Sequence, residues 1–305
     1  MEKTKLKKEN FTVQTVMNVL SKILSDNASL HPETATWIVV KTLRVFKNDF
    51  SKIKNVEQIQ FERMIKFALR VRNGETLAQV FGEVEFYGNI LKTAPSVFSP
   101  RLSTETLVNT VINYNTHKKD LKILDLCTGS GSVAVTLAKH LNATVYGLDI
   151  SKKSIKVAKE NAKRLGVENH CYFGIMDILK DWKALKNIKF DIIVSNPPYW
   201  NAEKIFNAPE VVKANPIIGF DGGEDGVKYI NVILKNAKDF LKPNGELYLE
   251  VDPDQIPYVI SEYQKNFSQI TVEKDYRGLD RVVGGVLTKQ QVLTSVNQKE
   301  IQQIK

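Results

Sequence analysis

The chain has 305 residues, 43% of them hydrophobic and 25% charged, which is the composition of a globular protein with room for two domains. No apolar run is long enough to span a bilayer, and Cys127 and Cys171 are the only cysteines, so we expect no membrane association, no disulfide framework and no metal site. The net charge of +9 favours an acidic partner such as nucleic acid, although the lysines are spread along the chain. Free thiols and the lack of a signal-peptide pattern predict a cytoplasmic location.

Residues 1–80 are predicted to form a small helical domain, because apolar residues recur at helical spacing in three segments. Those segments cover residues 11–24, 33–45 and 56–72. After a turn at 72–76, the segment GEVEFYG at 82–88 alternates like a strand. We therefore expect residues 81–102 to form a hairpin or linker.

From residue 103 onward, short β-rich runs alternate with helical stretches, which predicts an α/β fold with an open parallel sheet. The strands are predicted at 122–126, 144–150, 171–176, 190–195 and 246–251, and the helices at 131–141, 151–165 and 226–241. The last two strands, 269–276 and 281–287, are joined by so short a link that they must form an antiparallel hairpin. The pattern thus predicts a Rossmann-like domain over 103–287 with strand order 3-2-1-4-5, followed by a polar tail at 288–305 that is a frayed helix or disordered.

A glycine loop follows the first strand of this domain, in ILDLCTGSGSVAVTLAK at 123–139. Gly129 and Gly131 let the backbone turn tightly and approach a ligand closely, and the helix beyond them offers unpaired N–H groups. Asp149, at the end of the second strand, is placed to accept hydrogen bonds from both hydroxyls of a ribose. The loop therefore predicts a nucleotide-like ligand.

Two ligands fit this loop, a dinucleotide and S-adenosylmethionine. Ala134 occupies the position where the dinucleotide fingerprint has its third glycine, and Asp125 would repel a pyrophosphate but attract the cationic amino group of a methionine moiety. This charge argument favours S-adenosylmethionine, and a loop without any ligand is a further alternative. Asp177, after the third strand, is expected either to bond the adenine amine or to serve as a helix cap or turn residue, and Ile178 to pack on the adenine face.

The fourth strand ends in SNPPYW at 195–200, where two prolines stop the strand and stiffen the backbone. Asn196 is expected beside the glycine loop, since ligands in such sheets bind at the carboxyl ends of the strands. The Asn196 Oδ1 atom and the Pro197 carbonyl can hold both hydrogens of a planar NH₂ group, and Tyr199 can stack on that group. A weakly nucleophilic nitrogen held in this way is directed at a methyl donor without a strong base. The alternative is a proline-rich turn with no chemistry.

Six motifs in this order resemble the HemK/PrmC family, the release-factor glutamine N5-methyltransferases, over residues 10–287. Leu102 stands where the family has Pro, and Ser103 and Asn215 stand where it has Glu. The motifs are TLAQVFGEVEFYG (76–88), FSPRLSTETLV (98–108), DLCTGSG (125–131), NPPYW (196–200), ANPIIGFDGGEDGVKYI (214–230) and DYRGLDRVVGGV (275–286).

The resemblance implies a class I S-adenosylmethionine-dependent methyltransferase that modifies the glutamine in the Gly-Gly-Gln motif of peptide-chain release factors. It also implies that the N-terminal helical domain contacts the release factor, and we expect a monomer. The implied cofactor contacts are Cys127, Thr128, Gly129, Ser130, Gly131, Asp149, Ile178 and Asn196, and the implied substrate contacts are Asn196, Pro197, Pro198 and Tyr199.

Two other functions stay open. The same corner resembles that of methyltransferases acting on an exocyclic amine of adenine or guanine in DNA or RNA, where the base is flipped out of the duplex. The other open function is that of a non-catalytic binding module that keeps the fold. The segment FDGGEDG at 220–226 lacks the spacing of a calcium loop and is interpreted as a turn before a helix, and Arg101 either anchors the linker or touches the substrate.

Overall fold

The structure, a computed structural model, describes residues 10–27, 30–45, 47–208 and 216–288. Asn215 and the predicted tail beyond residue 288 lie outside these ranges. The described residues up to 82 form one compact unit, and those from 83 onward form another. None of the described helices is both long and apolar enough to cross a membrane.

The first unit packs helices around an apolar core that includes Leu20, Ile38 and Met64. Two of the predicted helices begin two residues later than expected, because residues 10–12 and 55–57 pair as short antiparallel strands. A short helix that was not predicted follows the turn and begins where the Thr76 side chain caps it. The elements are β1 (Asn10–Thr12), α1 (Val13–Leu24), α2 (Thr34–Leu43), β2 (Asn55–Glu57), α3 (Gln58–Arg72) and α4 (Leu77–Phe81).

A hairpin opens the second unit, with β3 (Glu83–Phe86) antiparallel to β4 (Asn89–Lys92). The strand predicted over 82–88 stops early because Tyr87 and Gly88 both take positive φ angles, of 48° and 69°, and form the turn.

The second unit contains a seven-stranded sheet of order β10-β11-β9-β8-β5-β6-β7. Only β11 runs against the other strands, so the predicted α/β fold with a closing antiparallel hairpin is confirmed. The strand predicted at 246–251 is longer than expected and starts directly after the preceding helix. The strands are β5 (Leu121–Leu126), β6 (Ala143–Asp149), β7 (Cys171–Ile175), β8 (Phe190–Ser195), β9 (Leu241–Glu250), β10 (Phe267–Lys274) and β11 (Asp280–Leu287).

The core of this unit lies on both faces of the sheet, because successive residues of a strand point to opposite sides. Ile123 packs in the cluster that contains side chains of α5, α6 and α7, whereas Leu124 packs in the cluster of α9 and α10. Helix α5 was not predicted. The helices are α5 (Thr104–Asn115), α6 (Ser132–His140), α7 (Lys152–Leu165), α8 (Ala202–Phe206), α9 (Lys228–Phe240) and α10 (Ile256–Tyr263).

Candidate active site

Three parallel strands bring the predicted site residues to one edge of the sheet. Strand β5 pairs with β6 on one side and with β8 on the other, so the carboxyl ends of all three lie together. The buried Ser195 hydroxyl, at the end of β8, donates a hydrogen bond of 2.7 Å to the Leu126 carbonyl at the end of β5. The glycine loop, Asp149 and Asn196 therefore meet at this edge.

Two clefts open here, and both are lined by Phe98, Asn196 and Gly219. The second cleft extends to Tyr199 and Arg101. Of the predicted residues, Gly131 and Pro197 line neither cleft. The first cleft contains the predicted residues Asp125, Cys127, Thr128, Gly129, Ser130, Asp149, Asp177, Ile178, Asn196 and Pro198.

The two glycines of the loop are needed for different reasons. Gly129 has a φ of +55° and open space around it, so the left-handed backbone alone favours glycine there. Gly131 has a φ of +78°, and a Cβ on it would lie 2.8 Å from the Ala158 Cβ of α7. Gly131 thus sets how closely the loop packs on α7, while Gly129 faces the first cleft. Burial raises the pKa of the Cys127 thiol, which makes it a neutral lining group.

Asp149 at the end of β6 supports the loop and keeps room for a ligand. Its Oδ2 accepts a hydrogen bond from the Gly129 N–H at 2.9 Å, and its Oδ1 accepts one from the Ser151 N–H at 2.8 Å. Burial raises the pKa of Asp149, and these two bonds oppose the rise. Hydrogen bonding from the Ser154 side chain opposes the rise as well, and since each carboxylate oxygen can accept about two hydrogen bonds, capacity is left for one ligand hydroxyl.

Asp125 is 1% exposed, on the side of the sheet that faces the loop. Its Oδ2 accepts a hydrogen bond of 2.5 Å from Thr128 Oγ1. Burial raises the pKa of Asp125 to about 7, although the Thr128 bond lowers it. A cation in the first cleft would stabilise the ionised form, whereas a phosphate would destabilise it.

Asp177 makes the turn that was one of its two predicted roles. Its Oδ1 accepts a hydrogen bond from the Leu179 N–H at 2.9 Å, and its Oδ2 pairs with Lys180 at 3.0 Å. These contacts lower the pKa of Asp177. The residue still lines the first cleft beside the buried Ile178, so contact with a ligand stays a prediction.

The corner after β8 presents two hydrogen-bond acceptors. Asn196 Nδ2 donates a hydrogen bond of 2.9 Å to Thr104 Oγ1 at the start of α5. Within the described part of the chain, no group donates a hydrogen bond to Asn196 Oδ1 or to the Pro197 carbonyl. The corner therefore has the two acceptors that were predicted, and only the first belongs to a residue that lines the clefts.

Hydrogen bonds from neighbouring segments hold the backbone of the corner. The Tyr199 carbonyl accepts a hydrogen bond from Gln255 Nε2 at 2.8 Å, and the Trp200 N–H donates to the Phe220 carbonyl at 2.8 Å. A Cβ on Gly226 would lie 2.5 Å from the Tyr199 carbonyl oxygen. The segment 220–226 is thus a turn packed against the corner, which agrees with its interpretation as a turn before α9.

The hydroxyl of Tyr199 is already engaged. It donates a hydrogen bond of 3.0 Å to Glu250 Oε1 at the end of β9, and burial together with the Glu250 charge raises the pKa of Tyr199. Its ring lines the second cleft. Tyr199 can therefore bound a flat group there, but its hydroxyl is not placed to act as a free acid or base.

Arg101 lies on the wall of the second cleft, between two aromatic rings. Its guanidinium carbon is 5.5 Å from the Phe98 ring centre and 5.4 Å from the Phe220 ring centre. Burial lowers the pKa of Arg101, and the Tyr199 and Glu250 charges oppose that shift. The stacking holds the segment before α5 in place, as an anchor would, and it also leaves the cation beside the cleft.

Sequence reasoning assigned no role to Thr104 or Glu250. Thr104 lies in a quoted motif, but its α5 helix was not predicted and nothing local relates it to Asn196. Glu250 had one signal, since it is a charged residue that follows the apolar run Leu247–Leu249 in a core strand. A fully buried carboxylate at the end of a core strand indicates a specific set of partners.

Comparisons with known proteins show the family of this chain. The solved ribosomal protein L11 methylase of Lactobacillus delbrueckii subsp. bulgaricus is 21% identical with a TM-score of 0.46, over 64% of this chain and 82% of that one. Residues 117–300 match the family model described as a methyltransferase domain. The release factor glutamine methyltransferase of Fusobacterium nucleatum is 32% identical over 92% of this chain and 80% of its own length, and that of Geobacter sulfurreducens is 32% identical over 92% and 98%. The chain therefore belongs to the release factor glutamine methyltransferase family.

Proposed function

We propose that this enzyme transfers a methyl group from S-adenosylmethionine to the side-chain amide nitrogen of the glutamine in the Gly-Gly-Gln motif of peptide-chain release factors. The observation that carries the proposal is Asn196, which lines both clefts and has an Oδ1 without a donor among the described residues. Family membership makes the chain an enzyme, so the non-catalytic module is dropped. Action on release factors would place it in the cytoplasm.

The side chains of the first cleft fit S-adenosylmethionine. Asp149 keeps acceptor capacity for a ribose hydroxyl, and Asp125 is a buried carboxyl whose ionised form a cationic amino group would stabilise. Ile178 and Asp177 line the part of the cleft that remains for the adenine, and the segment from Cys127 to Ser130 closes the loop side. When bound, the cofactor supplies an electrophilic methyl group.

In the proposed mechanism, the corner holds and aims the glutamine amide. Asn196 Oδ1 and the Pro197 carbonyl accept its two hydrogens, which raises electron density on the nitrogen and turns its lone pair toward the first cleft. Pro197 and Pro198 keep both acceptors in fixed directions, and the Tyr199 ring bounds the flat amide. The nitrogen becomes positively charged and acidic when it gains the methyl group, so one of its hydrogens leaves to solvent as a proton. No separate base is therefore required.

The second cleft suits a glycine-rich peptide loop. Leu102, Tyr276 and Leu279 are exposed along it and offer apolar contact, while Arg101 and Arg277 offer donors for main-chain carbonyls. Glycines next to the glutamine carry no side chain, so the main chain can approach the wall closely. By the family resemblance, we propose that the first, helical unit contacts the body of the release factor.

The test is methyl transfer to a purified release factor with labelled S-adenosylmethionine, followed by mass spectrometry of the peptide that contains Gly-Gly-Gln. We expect one added methyl on the glutamine, and none on a control release factor in which that glutamine is replaced by Asn. DNA and ribosomal RNA are assayed in parallel. Transfer to nucleic acid alone would refute the proposal and favour the base-methylating alternative.

A further inference from the structure

The side-chain amide of Asn196 has two ends of similar shape, and only one of them can accept a hydrogen bond. If the amide were turned by half a rotation, Nδ2 rather than Oδ1 would be left for the substrate, and a donor would face the donor hydrogens of a glutamine amide. The function proposed above therefore requires something that fixes this orientation. Because the two ends of the Asn196 amide have a similar shape, its orientation must be set by a neighbouring group.

Thr104 is the residue that can fix the orientation of the Asn196 amide. It is 2% exposed at the first position of α5, and its Oγ1 lies 2.9 Å from Asn196 Nδ2. A hydroxyl can accept from Nδ2 or donate to Oδ1, because it has both an oxygen lone pair and a hydrogen. The orientation of Asn196 thus depends on where the Thr104 hydrogen is committed.

Glu250 is the acceptor that can bind the hydrogen of the Thr104 hydroxyl. This carboxyl is fully buried at the end of β9, and among the described residues its Oε2 has no hydrogen-bond partner of good geometry. Tyr199 Oη lies 3.0 Å and Ser103 Oγ lies 3.4 Å from Glu250 Oε1. A carboxylate only accepts, and hydrogen bonding from Thr104 opposes the rise of the Glu250 pKa that burial causes. Glu250 is therefore the acceptor toward which the Thr104 hydrogen would point, while the Thr104 oxygen accepts from Asn196.

We infer that Thr104 and Glu250 are positioning residues, in which Glu250 orients the Thr104 hydroxyl and Thr104 in turn holds Asn196 with Oδ1 toward the substrate. The inference rests on the proposed function for its kinetic consequence, but the hydrogen-bond order can be measured without substrate. Glu250 also binds the Tyr199 hydroxyl, so one carboxylate fixes the corner at both Asn196 and Tyr199.

The kinetic test compares Thr104→Val, which keeps the shape and loses the hydroxyl, with Thr104→Ser, which keeps the hydroxyl. We expect Thr104→Val to lower kcat by about ten- to a hundredfold, between the loss of one hydrogen bond and the loss of a catalytic acceptor. Thr104 also lines the first cleft, so KM for the release factor and Kd for the cofactor are measured in parallel, and the loss in kcat should exceed any change in either. Thr104→Ser should keep most of the activity.

Glu250→Gln supplies a second variant that alters the hydrogen-bond order and keeps the size. The glutamine amide can donate to Thr104 Oγ1, which frees the Thr104 hydrogen for Asn196 Oδ1 and favours the wrong orientation. We expect kcat to fall, and the double variant with Thr104→Val to lose less than the product of the two single losses, since the residues share the path through Asn196 while Glu250 also acts through Tyr199.

Nitrogen-15 NMR of the Asn196 side-chain amide, assigned by its loss in Asn196→Ala, tests the same order without turnover. We expect the shift of a hydrogen-bonded amide proton in the wild type and Thr104→Ser, and its loss in Thr104→Val. An unchanged amide signal in Thr104→Val, or a kcat equal to the wild type, would overturn the inference. A wild-type enzyme that methylates no release factor would instead refute the proposed function, and the NMR result would still decide the inference.

Discussion

Replacement of Gly131 by Ala tests how the glycine loop is held against α7. The new Cβ would lie 2.8 Å from the Ala158 Cβ and 3.0 Å from the Ala158 Cα, closer than carbon atoms pack. The backbone there also has a φ of +78°, which residues other than glycine rarely adopt. The substitution therefore brings two separate costs, backbone strain and steric overlap.

Each cost has an approximate size. Left-handed backbone costs a non-glycine residue about 1–2 kcal/mol. Overlap in a packed interior costs about 1–3 kcal/mol. Gly166, at the end of α7, is the matched control, because its φ is +69° and a Cβ on it would contact nothing within 4 Å. Gly166→Ala should show the strain alone, so the difference between the two variants should be about 1–3 kcal/mol.

The assay is thermal unfolding of both variants and of the wild type, together with calorimetry of S-adenosylmethionine binding. For a unit of this size, the difference corresponds to a melting temperature about 2–12 °C lower for Gly131→Ala than for Gly166→Ala. Cofactor affinity should fall only in Gly131→Ala, because Gly166 lies about 20 Å from the cleft along α7. Equal stability of the two variants would show that the loop does not press on Ala158 as described.

Three further outcomes are expected. Asn196→Ala should lower kcat by about a hundred- to a thousandfold with little change in cofactor Kd, and equal losses in both would mean that Asn196 only shapes the cofactor cleft. Asp149→Asn should weaken cofactor binding by about ten- to a hundredfold in calorimetry, since hydrogen bonds to a charged group are lost, and unchanged affinity would remove Asp149 from the ribose site. For Asp125, burial raises the pKa from 3.8 to about 7, so the folded enzyme without cofactor keeps a proton that the unfolded chain has lost. The free energy of unfolding should therefore fall as pH rises from about 4 to about 7, and Asp125→Asn should flatten that slope in urea titrations; parallel pH profiles would contradict it.

Much of the site could be predicted because its parts directly follow strands. Gly129, Asp149 and Asn196 each come at or after the end of a strand that the residue pattern reveals, and parallel strands bring their carboxyl ends to one edge. The charge of Asp125 also distinguishes between two ligand classes, because a carboxylate attracts a cationic amino group and repels a phosphate. Strand limits were less accurate where pairing decided them, as at the start of β9 and in the 10–12 segment.

The α/β fold, the glycine loop and the stiff corner could be predicted from the residue pattern, because each depends on residues that are close together in the chain. The way in which Asn196 is held is visible only in the folded protein. Its partner Thr104 is 92 residues away, and the Glu250 that binds Tyr199 is 51 residues from it, so no local pattern relates them. A hydrogen bond depends on distance and direction in space, and those are set only when α5 and β9 pack around the corner.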